Sequence, residues 1–78
     1  MMQQSDIAAA IAVKVREARR GMALSRKALA VAAGVSERYL NDLEKGRANV
    51  SIGILARVAT ALEVAFTSLL PGAADYYS

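Results

Sequence analysis

The stretch Arg26–Lys45, RKALAVAAGVSERYLNDLEK, decides how this chain folds. It reads as two short helices joined by a tight turn at Gly34, with Ser36 placed to cap the second. Glycine suits such a turn because it enters positive φ without a Cβ penalty. Small residues stand where two helices must cross closely, Ala30 inside the first and Gly34 between them. Apolar residues stand where a core would claim them: Leu29, Ala33, Val35, Leu40 and Leu43. What remains on the second helix is polar, namely Glu37, Arg38, Asn41 and Asp42.

Outward from this stretch the helical pattern continues in both directions. Ser5 is the expected cap of a first helix, Asp6–Arg20, with Ile7, Ile11, Val15 and Ala18 spaced by fours and threes along one face. Asp6 near its start and Arg19 and Arg20 near its end suit the helix dipole, and Gly21 is the expected stop. Ser25 should cap a second helix, Arg26–Ala33, and Ser36 a third, Glu37–Lys45, closed by Gly46. After a loop, Arg47–Val50, Ser51 should cap a fourth helix running to Leu62, with Ile52, Leu55, Ala59 and Leu62 facing inward. Gly53 inside that helix costs about 1 kcal/mol against alanine, and close packing is the one reason the sequence offers for it. A short fifth helix, Phe66–Leu70, should stop at Pro71-Gly72. The expected architecture is an all-α, compact five-helix bundle. Residues 1–5 form a flexible N-terminal tail, 6–70 the domain, and 71–78 a flexible C-terminal tail or truncated linker.

A chain of 78 residues makes one domain, near the lower size at which folding proceeds without staples. It has no cysteine, so disulfides and thiolate metal sites are excluded, and apolar burial must supply the stability. No apolar run is long enough to span a bilayer, and the start MMQQSD lacks a signal peptide's basic flank and apolar stretch. A cytoplasmic protein with no membrane association is the plain expectation. The formal charge is +3, unevenly spread: Lys14–Arg47 holds nine basic and four acidic residues, and the remainder has a net charge of −2. A basic region between slightly acidic ends favours a polyanion as partner.

Two capped helices across a glycine turn, with small residues at the crossing and polar ones outside, form the layout of a helix-turn-helix, here helices 2 and 3. In that motif the N-terminal end of the second helix enters the major groove of duplex DNA. Glu37 can then accept from cytosine N4, and Arg38 can donate twice to guanine O6 and N7. Asn41, one turn on from Glu37, reaches a base or a phosphate. Ser36 should cap the helix, with a phosphate contact as its second use. Tyr39 is open between three uses: lying along the sugar-phosphate backbone, covering a thymine methyl, or shielding the turn. Arg26 opens the second helix, where backbone amides and the dipole favour a phosphate. For each of these side chains the alternative is an ordinary solvated surface.

The order and spacing of VREARR, LAVAAGVS, YLNDLEKG and LARVATALEV make the chain resemble the phage repressor and Cro-like helix-turn-helix proteins, the XRE family, over roughly Ile11–Leu70. The resemblance implies a lambda-repressor-like DNA-binding bundle, with base readers at Glu37, Arg38, Asn41 and Asp42. Lys27, Lys45, Arg47 and Asn49 would hold backbone phosphates with Arg26, where the family most often has glutamine. The resemblance also implies a partly buried ion pair between Arg19 and Glu44. More narrowly, SRKALA, GVSERYL, NVSI and VATALEV are similar to the N-terminal domain of benzoate-pathway repressors, in which a shikimate-kinase-like domain follows and senses an acyl-coenzyme A effector. A small-molecule effector would enter only with such a further domain.

The expected function is sequence-specific binding of double-stranded DNA by a bacterial transcriptional regulator, a repressor, acting as a homodimer on a pseudo-palindromic operator. The alternative is a helix-turn-helix module that binds protein, such as the antitoxin partner of a small toxin, docking through Val64–Leu70, Tyr76 and Tyr77. Catalysis is not expected: there is no histidine or cysteine, and the seven carboxylates show no paired or zinc-ligand spacing. No cofactor is expected.

Overall fold

Three serines set where the later helices begin. In the computed structural model, which describes residues 3–72, Ser25, Ser36 and Ser51 all stand in extended conformation. Each accepts from the backbone N–H three residues on, that of Ala28, Tyr39 and Ile54 respectively, at 2.9–3.1 Å. They open α2 (Arg26–Ala33), α3 (Glu37–Glu44) and α4 (Ile52–Ala61). The first helix, α1 (Gln4–Gly21), starts two residues earlier than its sequence implied. Its cap is Gln3 rather than Ser5, because the Asp6 carboxylate reaches back to the Gln3 N–H at 3.1 Å. Gln4 and Ser5 are therefore helical and not tail. The segment expected as a fifth helix is a single 3-10 turn, Phe66–Leu69. The described residues thus form four α-helices and one 3-10 turn, with no strand among them. Residues 1–2 and 73–78, which hold two of the five residues of the expected N-terminal tail and six of the eight of the C-terminal one, lie outside the described residues.

The four helices end in one way. Each closes with a left-handed residue and a long backbone hydrogen bond back into the last turn: Leu24 N–H to Arg19 O, Val35 to Ala30, Arg47 to Asp42 and Val64 to Ala59, at 2.9–3.1 Å. Glycine fills the left-handed place after α2 and α3, at Gly34 (φ +71°) and Gly46 (φ +73°). Space also favours Gly46, since a Cβ there would lie 3.3 Å from Ala9 Cα on α1, a tight contact with backbone. After α1 and α4 the place falls to Ala23 (φ +56°) and Glu63 (φ +58°). Gly21, expected as the stop of α1, is instead its last helical residue. The closing bonds hold Ala23 and Glu63 in a conformation that L-residues otherwise avoid.

The core gathers one face of every element. Val15 of α1, Leu29 of α2, Leu40 and Leu43 of α3, Leu55 and Val58 of α4, and Leu62 and Leu69 beyond it are all buried. Helix α3 packs between α1 and α2, α4 lies against α2, and the 3-10 turn closes the gap between α4 and α1. Val35 and Ala18 are partly buried at the margin of this cluster. Two expectations for α4 fail. Ile52, expected inside, is 77% exposed, while Val58 takes a core position. Close packing does not explain Gly53, because a Cβ there would meet nothing within 4 Å. Gly53→Ala should therefore stabilise the fold by about 0.5–1 kcal/mol, through helix propensity alone. Urea unfolding monitored by circular dichroism checks this, and an unchanged midpoint would show that the glycine is already compensated.

Candidate nucleic-acid interface

Helix α3 is buried along one side and open along the other. At roughly 100° per residue, Leu40, Leu43 and Glu44 cluster on one face, and all three are buried. Arg38, Asn41, Asp42 and Lys45 fall on the opposite arc. Arg38 and Lys45 are exposed, and Asn41 and Asp42 half-buried. Glu37 is exposed in the first turn, beside the exposed cap Ser36. Arg38, Asn41 and Asp42 therefore share the outward side of one short helix whose inward side is fixed in the core, while Glu37 is reached from the helix's open N-terminal end. Ser36 is a cap, as its spacing implied.

Tyr39 is held by structure. It is half-buried against the core cluster, and its hydroxyl donates to the Asn49 carbonyl at 3.0 Å. The ring thereby ties the first turn of α3 to the loop that carries Arg47 and Asn49, both exposed. Burial pushes the Tyr39 phenol above its ordinary value, which favours the neutral form in the folded chain. Its contribution to stability is present at neutral pH and is lost as pH rises through that raised value.

The far end of α3 carries the strongest polar cluster. Arg19 grips the Glu44 carboxylate with two bonds, Nε to Oε2 at 2.7 Å and Nη2 to Oε1 at 3.0 Å. Its Nη1 donates to the Leu24 carbonyl at 2.9 Å, so the same side chain braces the loop before α2. Glu44 is 1% and Arg19 8% exposed, making this a buried, charge-assisted pair. The hydrogen bond to Glu44, opposed by burial and aided by the carboxylate's charge, raises the Arg19 pKa further. The pair implied by family resemblance is thus present in full.

Two further arginines reach Glu44, neither with any local signature in the sequence. Arg26 Nε donates to Oε1 at 3.1 Å, with its side chain 44% exposed. Arg16 Nη1 donates to the Glu44 backbone carbonyl. Arg26 is therefore more than a free cation at the start of α2. Lys27, beside it, is exposed. Arg57 was also missed: its Nη2 stands 3.5 Å from the Gly34 carbonyl, beside the turn. Contacts of this kind span 10 to 28 residues, beyond the reach of any local pattern.

A capped, outward-facing α3, crossed by α2 through a Gly34 turn, is a helix-turn-helix, and comparison with known proteins finds the same motif. The helix-turn-helix family HTH_3 matches residues 15–69. The chain belongs to that family. Relatives matched by the chain are named as transcriptional regulators. The chain is 38% identical over 63 residues to the HTH-type transcriptional regulator DdrOP3 of Deinococcus deserti, covering 81% of the chain and 49% of that protein. It thus spans about half the length of this curated relative. Among solved structures it resembles the restriction-modification controller protein C.AhdI of Aeromonas hydrophila, with a TM-score of 0.79, 30% identity, and coverage of 81% of this chain and 96% of that one. The clp gene regulator ClgR of Corynebacterium glutamicum superposes with a TM-score of 0.77 at 34% identity, covering 80% of this chain and 66% of that one. These relatives carry the helix-turn-helix family; likeness to benzoate-pathway repressors rests on the sequence segments alone. Among the described residues no helix is long and apolar enough to cross a membrane.

Proposed function

We propose that this helix-turn-helix domain binds double-stranded DNA sequence-specifically, as a transcriptional repressor, with α3 in the major groove. The observation that carries the reading is the outward arc of α3, where Arg38, Asn41, Asp42 and Lys45 stand opposite buried Leu40, Leu43 and Glu44. Glu37 and Arg38, in the first turn, take the base-edge contacts closest to the groove floor, with Asn41 and Asp42 one turn behind. Arg26, Lys27, Ser36, Lys45, Arg47 and Asn49 meet the sugar-phosphate backbone from either side. Tyr39 serves by holding the Asn49 loop in place, whatever further contact its ring makes. The domain is non-catalytic and cytoplasmic in this reading.

The operator-bound form is a homodimer on a pseudo-palindrome, so that two reading helices lie about one DNA turn apart. An apolar groove of about 170 Å³, rimmed by Ile52, Val50, Phe66 and Leu70, supports a second copy as partner. Of Val64–Leu70, the surface expected to dock a protein partner, Leu69 is buried and Val64 packs on the core, while the partly buried Phe66 and Leu70 also rim this groove. Tyr76 and Tyr77 lie outside the described residues. The same groove is what favours the second reading, a protein-interaction module or antitoxin.

Titration with duplex DNA separates the two. The DNA reading expects affinity to fall steeply with salt, at roughly 0.9 in log–log slope per phosphate contact. Arg38→Ala should cost about 1–3 kcal/mol on a selected site and little on random duplex. Equal losses on both would remove Arg38 as a base reader.

A further inference from the structure

Glu44 is offered more positive charge than it needs. Arg19 alone engages both carboxylate oxygens and balances their charge, through bonds of 2.7 and 3.0 Å, and both side chains are buried. Arg16 goes to the Glu44 backbone carbonyl, where the negative end of the α3 dipole offsets its charge. Arg26 is the surplus. Its Nε donates to Oε1, which already accepts from Arg19, yet its side chain is 44% exposed. One carboxylate thus anchors two guanidiniums and neutralises one of them.

We propose that Glu44, though buried, positions Arg26 as a phosphate clamp: it takes the Nε edge of the guanidinium and leaves the two terminal NH2 groups as a fork for one DNA phosphate at the start of α2. The proposal rests on the DNA-binding reading above and adds to it a residue that touches no DNA. A guanidinium has five donors in a rigid plane, so it can hold a carboxylate on one edge and a phosphate on another. An arginine free in water loses rotamer freedom when it grips a phosphate, whereas Arg26 has already lost much of it on folding. The α2 dipole adds to the attraction. Lysine is the discriminating substitute, because a single ammonium keeps the charge but cannot serve carboxylate and phosphate in this fixed geometry.

The experiment measures binding of the full chain to a short random-sequence duplex across a salt series, for wild type, Arg26→Lys and Arg26→Ala. Random duplex is used because a phosphate contact is blind to sequence. Thermal melts confirm that both variants fold, as expected for a half-exposed side chain. Arg26→Lys should weaken binding about five- to tenfold, nearly as much as Arg26→Ala, and both should flatten the log–log slope by about 0.9. In a Glu44→Gln background the Arg26→Lys loss should shrink, because the anchor has lost its charge and one of its two acceptor oxygens. If Arg26→Lys binds with wild-type affinity and slope, Arg26 is a plain point charge and the proposal is overturned. An Arg26→Lys loss of equal size with and without Glu44 overturns it too. A folded wild type that binds no duplex at all defeats the DNA reading itself, a different outcome from either.

Discussion

Glu44→Ala should be the most damaging single substitution in this chain, with an expected loss of about 3–5 kcal/mol. It would strand Arg19, which is only 8% exposed, with no carboxylate beside it. Desolvation of that guanidinium is then uncompensated, and the bond that registers α1 against the end of α3 is gone. A domain of this size has a total stability of about 4–12 kcal/mol on the usual per-residue scale, so the loss is a large fraction of the whole and should lower the unfolding midpoint sharply. Arg19→Ala should be costly too: Arg26 still reaches Oε1, but Oε2 loses its partner and the Leu24 carbonyl that Arg19 caps at 2.9 Å is freed. The double variant is the sharper test. With both charges removed, the loss should be clearly smaller than the sum of the two single losses. Additive losses in urea unfolding would mean that the two side chains do not depend on each other.

The second large effect is expected from Leu69→Ala, at about 2–5 kcal/mol. Leu69 is 1% exposed and comes from the 3-10 turn, the shortest element in the fold. The turn is held locally by few bonds, among them Ser68 N–H and Oγ to the Ala65 carbonyl at 2.9 and 2.6 Å. Its place therefore depends on the leucine that plugs the space between α1 and α4. A loss below about 0.5 kcal/mol, the level of an ordinary surface substitution, would show that the turn is an appendage and not part of the core.

How far the sequence revealed this fold depended on the range of each interaction. Serine caps act over three residues, so Ser25, Ser36 and Ser51 announced α2, α3 and α4 within a residue. Gly34 and Gly46 were equally legible, because the turns they close require positive φ. Ala23 and Glu63 were not, since nothing in their chemistry advertises a left-handed residue; tertiary packing and the closing bonds impose it. Ile52 follows the spacing of an inward residue, but at the first position of α4 it lies beyond the elements that would cover it. The polar arc of α3 could be read from Arg38, Asn41 and Asp42. Arg26 shows the limit, because its hold on Glu44 joins two helices and leaves no trace in local spacing.

Arg38 in the major groove is the claim on which the functional account stands, and one cycle tests it. A duplex selected for tight binding is compared with the same duplex carrying 7-deazaguanine at its conserved guanines, against wild type and Arg38→Ala. The modified base keeps its pairing and loses only the N7 acceptor that faces the major groove. Wild type should lose about tenfold or more on the modified duplex, within the range of a bidentate arginine contact, and Arg38→Ala should be indifferent to the change. Identical losses for both proteins, or none for either, would contradict a reading helix that presents Arg38 to guanine.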